Sequence, residues 1–89
     1  MEELIRKLRQ ALIAEFPGAK IKLAQARAAK KVTGEVVWDG FSGIEHIDRQ
    51  RRLRKVIDSA LDANERLAVS LILTLTPEEN VVMSGSSED

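Results

Sequence analysis

Phe41-Ser42-Gly43-Ile44-Glu45-His46-Ile47-Asp48-Arg49-Gln50-Arg51-Arg52-Leu53 is the stretch in which the chain turns and commits to a long helix. Ser42 followed three residues later by Glu45 has the capping-box pattern, with Ser42 as N-cap and Glu45 bonding back to it. Downstream, Ile47, Leu53, Val56, Ile57, Ala60 and Leu61 recur at helical spacing and predict one buried stripe. Arg51, Arg52, Lys55 and Asp58 fall on the opposite face. Five of the seven residues from Arg49 to Lys55 are basic, in a chain of 89 residues whose formal charge sums to zero. That segregation marks a surface with a role.

Working back from this stretch, Asp39-Gly40 is a turn, and Val32 to Trp38 reads as a strand. Before it, Ile21 and Leu23 alternate with Lys20 and Lys22 as a short half-buried strand, and the alternation breaks at Ala24-Gln25-Ala26. Arg27 to Lys31 is a basic loop or loose hairpin end. A connection this short makes the two strands antiparallel. At the start of the chain, Leu4, Ile5, Leu8, Ala11, Leu12 and Phe16 form a helical stripe. Glu2 and Glu3 favour the positive end of that helix, and Pro17-Gly18 stops it. A helix from about Glu2 to Glu15 follows.

Working forward, Asp62-Ala63-Asn64 closes the long helix. Leu67, Val69, Leu71, Leu73 and Leu75 then alternate with Ala68, Ser70, Ile72, Thr74 and Thr76. This predicts a strand whose partly apolar second face puts it in a central or well-covered position. Pro77 ends it, because proline has no N–H for a ladder. Residues 1–80 form a single domain, and residues 81–89 are expected to be a flexible tail. The order α-β-β-α-β gives an α+β class: a three-stranded mixed sheet with helices packed on one face. The second and third strands are parallel, joined by a right-handed crossover.

Composition narrows the chemistry. A chain of this size buries only about 60–65% of the surface its unfolded form exposes, so its stability is modest. It has no cysteine, which excludes disulfides, thiolate metal sites and cysteine nucleophiles. No apolar run approaches the roughly 20 residues of a membrane span, and no signal-peptide pattern opens the chain, so a cytoplasmic protein is expected. Charge is polarised along the sequence. From Leu4 to Lys31 the eight basic residues face Glu15 alone, whereas from Val56 onward Arg66 is the only basic residue among seven acids. Such a dipolar chain steers an anionic partner locally despite its neutral total.

No catalytic constellation accompanies the basic helix. The acids are scattered over turns and helix surfaces, and the lone His46 lies beside Glu45 on a helix, where neighbours point apart. One histidine and no cysteine leave no metal-ligand spacing, so neither a metal nor a cofactor is expected. Gly40-Phe41-Ser42-Gly43 spells the GxxG of a KH nucleic-acid clamp. It follows a strand instead of joining two helices and holds no basic residue, so it reads as a turn and a helix cap. The candidate nucleic-acid contacts are Arg49, Arg51, Arg52, Arg54 and Lys55, with Lys30 and Lys31 from the hairpin end. Glu45–Arg49, Asp48–Arg52 and Arg54–Asp58 are spaced for competing helical ion pairs. Trp38, Phe41 and His46 are candidate partner contacts, tryptophan at an element's edge being a common anchor.

Phe41-x-Gly43, the Arg49-Gln50-Arg51 triplet opening the long helix, and Thr74-Leu75-Thr76-Pro77-Glu78-Glu79 after the last strand resemble the BolA-like family in this order. The resemblance covers roughly Leu4 to Glu79. It implies a KH-type-II-like α-β-β-α-β fold without enzymatic activity, and either DNA binding or pairing with a monothiol glutaredoxin around an iron–sulfur cluster. The family's cluster ligands are a histidine at the start of the last strand and a Cys or His between the first two strands. Here Ala68 stands at the first place, the segment Ala24 to Thr33 has neither residue, and the triplet's middle histidine is Gln50. Iron–sulfur pairing is therefore not expected. The expectation is a non-enzymatic binding or regulatory module that takes DNA or RNA along the basic helix. The alternative is a protein adaptor using the sheet edge and the Trp38/Gly40–Gly43 turn.

Overall fold

The computed structural model describes residues 2–26 and 30–85. The elements run α1 (Glu2–Glu15), β1 (Lys20–Ala26), β2 (Lys31–Val37), a 3-10 turn (Asp39–Phe41), α2 (His46–Ala60), α3 (Ala63–Leu67), β3 (Val69–Leu75) and α4 (Pro77–Gly85). The sheet order is β1-β2-β3, with β1 antiparallel and β3 parallel to β2. The expected α+β architecture and crossover are present.

The core is built from stripes that meet over one face of the sheet. Leu4, Leu8, Leu12 and Phe16 of the first helical stripe join Val32 and Val36 of β2, Ile72 of β3, Leu53 and Leu61. Phe41 is fully buried beside them. Gly34 lets the two hairpin strands approach. A Cβ there would lie 2.1 Å from the Lys22 carbonyl oxygen, far inside van der Waals contact.

Several local expectations are corrected. Ser42 does not cap the long helix, which begins at His46 with Glu45 as N-cap and no side-chain cap bond. Gly43 adopts φ +81°, and the Ile44 N–H already bonds the Phe41 carbonyl, so the chain is still turning where the expected first helical turn lies. Residues 81–85, expected as tail, continue α4 to Gly85, while residues 86–89 lie outside those described.

Asp62 opens α3 instead of merely closing α2. Its side chain accepts from the Glu65 N–H, and Glu65 accepts from the Asp62 N–H. The last strand therefore starts at Val69, not Leu67. Its register then jumps: Val32 pairs with Val69 but Gly34 with Ile72, so β3 carries one extra residue there. Such a bulge reverses which residues face inward. Val69, Ile72 and Thr74 consequently turn to the core side, and Leu71 is left 59% exposed. Of the two positions expected for β3, central or well-covered, the first does not hold, since it is an edge strand.

Candidate binding groove

Helix α2 presents successive residues about 100° apart, and the Arg49-Gln50-Arg51 triplet divides accordingly. Arg49 lies four residues before Leu53 on the inward stripe and is only 5% exposed. Its guanidinium donates to the carbonyls of Ile44 (2.8 Å) and Thr74 (3.2 Å) and to the Glu79 carboxylate (2.7 Å). Gln50 Nε2 donates to the Ile72 carbonyl (3.2 Å) and to Thr74 Oγ1 (3.1 Å). Arg51 points outward, its side chain 70% exposed and 3.6 Å from Asp48.

The first two residues close part of a strand edge. The Leu75 carbonyl accepts from Trp38 N–H at the end of β2. Alternation then turns the Ile72 and Thr74 carbonyls toward the free edge, where Gln50 and Arg49 take them. Exposed edges invite unwanted pairing, and covering them with a helix is a common remedy. Along this half of β3, the sheet edge is not open to an incoming strand.

Arg49 also fixes α4. Thr76 and Glu79 form a second capping box, Thr76 N–H to Glu79 Oε1 at 2.8 Å and Glu79 N–H to Thr76 Oγ1 at 3.2 Å. The Arg49 guanidinium, with the Thr76 N–H second, lowers the Glu79 carboxyl from 4.5 to about 2. Exposed His46 stands 3.5 Å from the other Glu79 oxygen.

Arg52 is likewise engaged. It meets Glu15 at 2.7 Å and lies over the rings of Phe16 (5.2 Å) and Trp38 (5.1 Å). Phe16, Trp38 and Phe41 form a three-ring cluster with centroids 5.1–5.2 Å apart, and Trp38 Nε1 donates to the Pro17 carbonyl. Of the candidate partner contacts, Phe41 has no exposed surface and Trp38 is held in this cluster; His46 alone stands free of the core. None of the three helical ion pairs forms: Arg49 goes to Glu79, Arg52 to Glu15, and Asp58 to Arg66 at 3.6 Å. Lys30 is exposed at φ +50°, and Lys31 donates to the Leu67 carbonyl at the end of α3.

What remains open is a groove of about 550 Å³ between α2 and β3, within the usual range of ligand clefts. Leu53, Ile57, Val69 and Ile72 line it, and Arg51, Arg54 and Arg66 stand along it with Asp58. Ile47 (60% exposed) and Leu71 flank it. The expected inward stripe had placed Ile47 in the core. With Arg49 facing inward, a residue two positions earlier points nearly the opposite way. Sequence reasoning missed this groove, because the β3 bulge that exposes Leu71 leaves no signature in an alternating pattern.

The donor set does not suit a metal cluster. Ala68 offers no ligand and packs against the core, and the Gln50 amide is committed to β3. Among the described residues, no group of three or more His, Cys, Asp or Glu is arranged to hold a metal ion. No described helix is long and apolar enough to cross a membrane.

No family model matches the chain, and no curated protein matches it. Solved structures do. A Bol-like protein from Babesia bovis is 19% identical, with 89% of this chain and 91% of that one covered at a TM-score of 0.54. The BolA domain of SufE1 from Arabidopsis thaliana is 17% identical, with 89% and 96% covered at a TM-score of 0.64. The chain therefore has a BolA-like fold, as its sequence resemblance implied.

Proposed function

We propose that this BolA-like fold serves as a non-enzymatic protein-binding module whose docking face is the groove between α2 and β3. The observation that carries the reading is that two exposed aliphatic side chains, Ile47 of α2 and Leu71 of β3, line the same groove. Exposed apolar surface of this kind, rimmed by polar groups, marks interaction sites. The carboxylates support a binding role over an enzymatic one. Glu15, Glu65 and Glu79 are each paired with a lysine or arginine. A related domain occurs as part of a larger protein in SufE1, which fits a module that works against other polypeptide surfaces. The adaptor reading thus moves from the Trp38 turn, which the aromatic cluster occupies, to the α2–β3 side.

A photoreactive residue in place of Leu71, with the same residue in place of Ile13 on α1 as control, tests this in the producing cells. A nuclease-resistant adduct to one protein at position 71, absent at position 13, is the expected result. Equal adducts at both positions, or none at 71, reject the groove.

A second reading has one observation in its favour. Arg54 and Lys55 are exposed and make no ion pair among the described residues, so they present free positive charge to a phosphate backbone. Arg49 and Arg52, the other candidates on this helix, are turned to internal partners, which leaves a short contact row. An adduct at position 71 that nuclease removes would establish nucleic acid as the ligand.

A further inference from the structure

We infer that the groove accepts an acidic, aliphatic segment of a partner protein in extended conformation; this rests on the groove being the docking face. Charge complementarity is the first argument. Three arginines stand along the groove against one acid, and that acid, Asp58, already faces Arg66 at 3.6 Å. Arg51 and Arg54 are left to an incoming carboxylate, Arg51 sharing only the exposed Asp48 at 3.6 Å. Arginine favours carboxylates in particular, since its planar fork donates two parallel hydrogen bonds.

The groove's floor and dimensions supply the second argument. Half-buried Ile57 and Val69 and exposed Leu71 offer aliphatic contact, and no aromatic ring lines the groove on which a base would stack. Helix α2 rises about 16 Å from Ile47 to Asp58, the length of about five extended residues. Gln50 and Arg49 hold the Ile72 and Thr74 carbonyls, so a ligand gains few ladder bonds there and is recognised mainly through side chains. In an extended chain alternate side chains point to opposite sides. A segment of alternating acids and aliphatics therefore sets its apolar row on the floor and its carboxylates toward Arg51 and Arg54.

The test uses the whole chain and three fluorescein-labelled probes at low salt, read by anisotropy: Glu-Val-Glu-Leu-Glu-Val-Asp-Leu, the same peptide with lysine at every acidic position, and oligo-dT of eight nucleotides. The acidic peptide is expected to bind at least about tenfold more tightly than either other probe, a difference on the scale of one or two charge-assisted contacts. The double reversal R51E/R54E should abolish that preference and turn it toward the lysine peptide. Should the double variant fail to fold, Arg54→Gln, at an exposed site with no ion pair to lose, should still weaken acidic-peptide binding selectively. Leu71→Ser should weaken both peptides. Tighter binding of oligo-dT, equal binding of the two peptides, or a preference unmoved by R51E/R54E overturns the acidic-segment inference while the groove itself stands or falls by the crosslinking at Leu71. Failure of all three probes to bind overturns the inference as well.

Discussion

Arg49, Gln50 and Arg51 look equivalent in sequence and do three different things. Arg49 is buried, with three acceptors arranged around it; Gln50 closes the β3 edge; Arg51 is exposed at the groove, with only Asp48 near it. Replacing Arg49 with Ala strands the Ile44 and Thr74 carbonyls and should cost about 2–3 kcal/mol in a urea melt. Arg51→Ala should stay within about 0.5 kcal/mol, as surface substitutions do. Equal costs would contradict the division of the triplet. The inward turn of Arg49 was legible, since it sits four residues before Leu53 and seven before Val56 on the apolar stripe. Reading arginine as necessarily a surface residue hid it. A pH dependence follows from its partner. The Glu79 carboxyl is lowered to about 2 from 4.5, so the pair contributes fully above pH 4.5 and is lost as pH falls from 4.5 through about 2. Glu79→Gln should be less stable than the native chain at pH 7 and converge with it near pH 2; melting curves that stay parallel throughout would count against the pair.

At the scale of elements, caps and one bulge decide where helices and the last strand begin. Thr76 and Glu79 open α4, as Asp62 and Glu65 open α3. Thr76→Ala should cost about 1 kcal/mol and raise amide exchange in α4 selectively, without touching the β1–β2 ladder. Exchange unchanged in α4 would refute the cap. Both boxes were written in the sequence as an oxygen-bearing residue followed three positions later by Glu, with Pro77 at the first position of α4. The one box that was read, Ser42 to Glu45, is the one Gly43 breaks by turning the chain. The sheet was more legible than the helix starts, because Ile21 and Leu23 alternate with Lys20 and Lys22 as a half-buried strand does. Gly34→Ala would drive a methyl into the Lys22 carbonyl and should abolish the cooperative melt or lower its midpoint sharply. A variant melting like the native chain would mean the strands are further apart. The bulge in β3 could not be read, since Val69 and Leu71 occupy the same face of an alternating apolar pattern until the register to Gly34 is known.

At the scale of the molecule, the charge asymmetry of the sequence is bridged in part by ion pairs between elements. Lys7 of the basic half meets Glu65 of the acidic half at 2.8 Å; the contact raises the lysine and lowers the carboxyl. Arg52 turns to Glu15 and Arg49 to Glu79. Along α2, Arg54 and Lys55 make no ion pair among the described residues and Arg51 meets only the exposed Asp48; Arg51 and Arg54 face the groove. The resemblance to BolA-like proteins gave the fold, while the site came from side-chain directions that only the three-dimensional register sets. The most direct test of the groove is an amide nitrogen–proton shift map of the whole chain during titration with the acidic octapeptide. Changes should concentrate at Ile47, Arg51, Arg54, Ser70, Leu71 and Ile72 and spare α1. Shifts confined to α1 or to the Asp39–Gly43 turn would contradict the account.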